Sequence, residues 1–209
     1  MINFKSLIQK FPSVWPTYWN NKWKKSKILY ETISLGENVD VRTILEPTNA
    51  KIIVEGKKIR GLLSDDEVAL NCLRYVVANI RYLSDKTKYQ KVEYWQPAPS
   101  TYQLKTGDCE DGAILLMKLM EAAGIPAWRR KLCCGWVVSG TKKGGHAYVI
   151  YLADDFKWYC MDWCYWPLDS ISCFLKKSHS ERKQYLDIWW TFNEEFSWCQ
   201  HDTIIKRGN

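Results

Sequence analysis

Between residues 113 and 163 the spacing of apolar side chains changes period once. Ala113 to Ala123 is an unbroken helical run, closed by Gly124 and then Pro126, neither of which continues a helix. Strand-like segments follow at Trp128 to Val138, His146 to Leu152 and Trp158 to Trp163, with turn residues at 139–145 and 153–157 between them. Upstream, Ser64-Asp65-Asp66-Glu67 has the form of a capping box. Val68, Cys72, Leu73, Val76, Val77 and Ile80 follow it at helical spacing, to about Arg81. Helix, helix, then an antiparallel meander predicts an α+β fold.

That body, residues 61–170, is flanked by an N-terminal accessory region at 1–60 and a C-terminal aromatic tail at 171–209. In the first, Trp15, Trp19 and Trp23 recur every four residues and predict one helical face. The stripe is expected to pack on the body, with docking of a protein partner as the competing use. Lys51 to Arg60 reads as a hairpin turning at Glu55-Gly56. Tyr94-Trp95-Gln96-Pro97-Ala98-Pro99 reads as an extended, rigid link. In the tail, Tyr185, Ile188, Trp189, Phe192 and Phe196 predict a helix or an extended arm lying on the body.

Composition narrows the class. The chain has 209 residues, 46% hydrophobic and 25% charged, which suits one globular domain. Eight cysteines stand in a chain whose first residues, Met1 to Lys10, lack an apolar core and a cleavage site. They read as reduced thiols in a cytoplasmic setting. No run of apolar residues is long enough to span a bilayer. The net charge of +7 is dispersed, and short runs such as Arg129-Arg130-Lys131 read as solvated faces rather than a nucleic-acid surface. Cys133-Cys134 and Cys160 with Cys164 lack zinc-ligand spacing, so no metal and no cofactor is expected.

One cysteine stands apart. Cys109 opens the helical run after Gly107-Asp108, where free backbone N–H groups favour a thiolate and could hold an oxyanion. Gly107 is expected to let a substrate approach the backbone. A thiolate mechanism needs an imidazole, and His146 is the histidine that opens an apolar strand, after Gly144-Gly145. Asp162 lies on the next strand among Met161, Trp163 and Cys164, where a carboxylate needs a partner. Hairpin pairing would bring it to the imidazole and fix the tautomer. Asp108, Glu110 and Asp111 are expected to point away, toward Arg129 or Arg130, or to hold the helix start.

The run Tyr-Trp-Gln-Pro at 94–97, Gly-Asp-Cys-Glu-Asp-Gly at 107–112, Gly-Gly-His-Ala at 144–147 and Met-Asp-Trp at 161–163 resembles the transglutaminase-like superfamily. It is similar to the bacterial and phage members described as transglutaminase-like cysteine peptidases. The resemblance implies a papain-like core and a triad of Cys109, His146 and Asp162. It implies attack on an amide or peptide bond through a thioester, with hydrolysis favoured over crosslinking and a protein or peptide as substrate. Trp95 or Gln96 would help form the oxyanion or substrate site. The family commonly has a glutamate near Ser100-Thr101, and serine stands here. The rival reading is a structural or binding module, virion-associated in a phage, that keeps the fold.

Overall fold

The computed structural model describes residues 14–32, 36–164 and 177–199. Met1 to Lys10, read above, lie outside them. The helices are α1 (Val14–Asn21), α2 (Ala50–Arg60), α3 (Asp65–Asn79), α4 (Asp85–Tyr89), α5 (Ala98–Leu104) and α6 (Cys109–Ala122). The strands are β1 (Leu29–Thr32), β2 (Gly36–Asp40), β3 (Arg81–Tyr82), β4 (Thr106–Gly107), β5 (Arg130–Ser139), β6 (Lys142–Leu152), β7 (Trp158–Met161), β8 (Tyr185–Phe192) and β9 (Ser197–Cys199). The main sheet is antiparallel in the order β7-β6-β5-β8-β9. The α+β class read from the sequence is the class of the molecule.

Helix α6 is the axis of the core. It lies between the sheet and helices α2, α3 and α5, and every residue from Glu110 to Met120 is buried. A helix apolar on all sides belongs inside a protein. Each buried Leu, Ile or Met on it contributes about 1.5–3 kcal/mol by leaving water. Helix α3 starts at the expected capping box: Ser64 N–H donates to Glu67 Oε2 at 3.0 Å, and Glu67 N–H to Ser64 Oγ at 3.4 Å.

Several expectations are corrected. Residues 50–60 are helix α2, not a hairpin. Asn49 caps it, accepting from Ile52 N–H at 2.9 Å, and the glycine taken for a turn is a crossing point. A Cβ on Gly56 would lie 2.5 Å from Ala122 Cβ, so glycine lets α2 meet α6 closely. The link at 94–99 is extended only through Pro97, the N-cap of α5, and Pro99 sits in that helix's first turn.

The run at 129–131 is buried rather than solvated. Arg129 Nε donates to Leu152 O, Nη1 to Asp65 and Nη2 to Asp154, each at 2.8 Å, which locks α3 to the sheet. Arg130 Nη1 donates to Glu194 at 2.9 Å. Lys131 Nζ lies 3.0 Å from the centre of the Trp198 ring, and burial pushes its amine down to about 7.

The flanking segments join the body. Trp19 stacks on Phe156 at 6.3 Å and meets Trp158 edge-on at 5.9 Å; Trp15 packs on Phe156 and Trp23 on Trp158. Trp23 lies past the end of α1, so the three rings share a patch but not one helix. The tail residues Tyr185–Phe192 are extended, and they form β8, bonded to β5 inside the sheet. No helix among the described residues is long and apolar enough to cross a membrane.

Candidate active site

Cys109 is the first residue of α6, with Asp108 as its N-cap. The start is tied down by Asp111, which accepts from Asp108 N–H at 3.3 Å and from Gln96 N–H at 2.7 Å, and also from the Gln96 side-chain amide. Two glycines of the motif have local causes. A Cβ on Gly112 would overlap the Trp163 ring, which lies flat on the helix and donates Nε1–H to Cys109 O at 3.0 Å. Gly107 makes room for the Asp111 side chain, not for a substrate.

The Cys109 thiol is partly buried. Its Sγ donates to Glu110 Oε2 at 3.1 Å, and the backbone N–H of Ala147 bonds the sulfur. Burial raises the thiol well above its ordinary value, and the charges of Glu110, Cys164 and Asp108 add to the rise. The Ala147 N–H opposes them. The lowering expected from the helix start is therefore outweighed. Nor does Glu110 point away: it faces the sulfur, and Arg129 and Arg130 are engaged elsewhere.

Ala147 follows His146 on β6, so the strand that carries the imidazole also meets the sulfur through its backbone. His146 is 8% exposed, and its Nε2 lies 2.7 Å from Asp162 Oδ2. The β6–β7 pairing ends at Val149 opposite Met161, and Asp162 continues past it to reach the ring. A carboxylate accepts, so Nε2 carries the proton and Nδ1 is left as the basic nitrogen. Asp162 is fully buried. Its Oδ2 also accepts from Tyr185 O–H at 2.9 Å, and its Oδ1 from Cys164 N–H at 2.9 Å.

Trp95 and Gln96 are both engaged by their neighbours. Trp95 is 1% exposed, stacks on Trp190 at 5.9 Å and donates Nε1–H to Glu93 at 2.7 Å. Gln96 donates its amide to Asp111 and to Thr106 O, and accepts from Lys88 at 2.8 Å and Tyr89 at 3.1 Å.

Sequence reading missed a second group of acids beside the thiol. Asp85, Asp108 and Glu110 each offer an oxygen, all within 4.8 Å of one another. Asp85 Oδ1, Asp108 Oδ1 and Glu110 Oε1 are buried without a hydrogen-bond partner. Burial, then the charge of Asp108, raises Asp85 to about 6 and Glu110 well above its ordinary value. Such an oxygen set is what a hard divalent cation takes. His146, Asp162 and Cys164 form another close set, but there the imidazole and carboxylate already bind each other. Asp85 lies 23 residues before Asp108 and Tyr185 lies 23 after Asp162, so no local motif joins either pair.

Residues 55–163 match the family model of the transglutaminase-like superfamily. No curated protein matches the chain. Among solved structures, it is similar to Legionella pneumophila LapG in an EGTA-treated form, with TM-score 0.51, 16% identity, and 76% of this chain and 82% of that chain covered. A second LapG structure gives TM-score 0.51 and 16% identity over 76% and 84% of the two chains. A calcium-bound form gives TM-score 0.47 and 18% identity over 71% and 87%. At 16% identity the likeness to the first two is one of fold.

Proposed function

The chain belongs to the transglutaminase-like superfamily, and from that premise we propose that it is a cysteine-nucleophile enzyme cleaving amide or peptide bonds through a thioester. Cys109 is the nucleophile, His146 the base and Asp162 the group that orients the base. The observation that carries the reading is the 2.7 Å bond from His146 Nε2 to buried Asp162, next to a thiol at a helix start. Cys109 Sγ attacks the carbonyl carbon as its proton passes to His146 Nδ1. The imidazolium, held by Asp162, then protonates the leaving amine as the C–N bond breaks. Water, activated by the same imidazole, cleaves the thioester and releases the acid. Backbone N–H groups at the start of α6 face the developing oxyanion. With Trp95 and Gln96 committed to the scaffold, no side chain is assigned that task.

Asp85, Asp108 and Glu110 would hold a divalent cation, since their buried, unpartnered oxygens fit one. A positive charge bound there would offset the carboxylate field that opposes ionisation of Cys109. Every catalytic role above remains with the protein's own residues.

Trapping tests the reading. A peptide electrophile is expected to give one adduct, mapped by mass spectrometry to Cys109 and lost in Cys109→Ala and His146→Ala. Labelling spread equally over Cys109 and buried Cys72 would refute it and favour a binding module that kept the fold.

A further inference from the structure

We propose that Tyr185 is a positioning residue for Asp162, supplied by strand β8 from beyond the family-matched residues 55–163. The proposal rests on the triad reading and extends it to the C-terminal segment. Asp162 Oδ2 takes two donors, His146 Nε2–H at 2.7 Å and Tyr185 O–H at 2.9 Å. With Cys164 N–H on Oδ1, both carboxylate oxygens are occupied and the group is fixed against rotation about its C–C bond.

The phenol is itself held. Tyr185 is 6% exposed, sits opposite Val137 in the sheet and packs on Tyr148 at 4.7 Å and His179 at 5.8 Å. A side chain locked by packing fixes the direction of the bond it donates. Removing the hydroxyl leaves the carboxylate with one donor fewer in a site closed to water. The carboxylate then turns, and the imidazole turns with it. Tyr148 provides the comparison: it is another buried phenol, whose ring packs on Tyr185 at 4.7 Å and stacks on His146 at 6.0 Å, contacts that Tyr148→Phe keeps, but its hydroxyl bonds His179 Nε2 at 3.0 Å, not Asp162.

The test needs no substrate. The rate at which iodoacetamide alkylates Cys109 is measured by peptide mass mapping in the native protein, Tyr185→Phe, Asp162→Asn, the double variant, His146→Ala and Tyr148→Phe. Tyr185→Phe is expected to slow alkylation about tenfold, the worth of one hydrogen bond to a charged group. It should add nothing in the Asp162→Asn background, because it acts through that carboxylate. Tyr148→Phe should keep the native rate. The downfield proton resonance of the His146 N–H bonded to Asp162 should shift in Tyr185→Phe, a signature read on the folded molecule.

An unchanged rate and resonance in Tyr185→Phe would overturn the proposal, as would an equal slowing in both backgrounds. If Asp162→Asn and His146→Ala also alkylate at the native rate, the triad reading itself falls. If they slow and Tyr185→Phe does not, only the role of Tyr185 falls.

Discussion

Two buried acidic corners flank Cys109, and they are built oppositely. At Asp162 both oxygens are met, by His146, Tyr185 and the Cys164 N–H. At Asp85, Asp108 and Glu110 an oxygen of each residue is buried and unmet, and Asp85 and Glu110 are pushed upward. A buried carboxylate surrounded by donors keeps one geometry and can serve as a fixed part of a mechanism. A buried carboxylate with one oxygen unmet, crowded by other acids, favours a proton or a cation. On the proposed mechanism, one corner would fix the base in place, and the other would tie ionisation of the thiol to the protons and cations in solution.

The largest effect should come from breaking the satisfied corner. Asp162→Asn can turn an amide N–H toward His146 and impose the wrong tautomer, so adduct formation with a peptide electrophile should fall by about 10³–10⁴-fold. A drop of less than tenfold would mean that the met corner does not orient the base. Next is Gly112→Ala, which drives a methyl into the Trp163 ring between the two corners. Overpacking of this kind costs about 1–3 kcal/mol, measurable by urea unfolding.

The unmet corner predicts a smaller effect with a definite pH sign. The Asp85 carboxyl is raised to about 6 from an ordinary 3.8. The folded state therefore holds a proton that the unfolded chain releases, and stability falls as pH rises through 6. Asp85→Asn should raise the melting temperature at pH 7 by about 2–4 °C, with the gain fading toward pH 4. Millimolar calcium should stabilise the native protein at pH 7, do so less at pH 4, and do little for Asp85→Asn. A calcium response that survives in Asp85→Asn would remove that residue from the site.

An effect of similar size belongs to an exposed carboxylate whose Oε2 accepts twice from Ser64. Ser64 holds Glu67 below the usual carboxylate range. Ser64→Ala should lower the melting temperature by about 2–4 °C. The contribution of the Glu67 bond runs opposite in pH to that of Asp85: present at neutral pH, and lost as pH falls through the depressed value.

What sequence reveals follows the same division. Cys109, His146 and Asp162 are readable because each sits at a local signal: a helix start, a strand opening after paired glycines, a carboxylate among apolar neighbours. The capping box at Ser64 is likewise local. Gly56 misleads because a glycine at a helix crossing and a glycine in a turn look alike until the partner, Ala122, is known. The run at 129–131 misleads because its counter-charges at Asp65, Asp154 and Glu194 are distant in the chain. Strand β8 hides its period because its pairing with β5 slips between Cys134 and Gly135 and again before Val137. Tyr185 and Asp85 carry no signal of their own, since their meaning comes only from where the fold brings them.

Strand β8 lies between β5 and β9 and, among the described residues, is the last long strand of the sheet in chain order. On a ribosome, the segment carrying cysteine, histidine and aspartate emerges well before the strand that sets beside it. At about 5–20 residues per second this interval lasts a second or more. Late arrival of the strand that carries Tyr185 thus makes completion of the proposed site one of the later events in the synthesis of the chain.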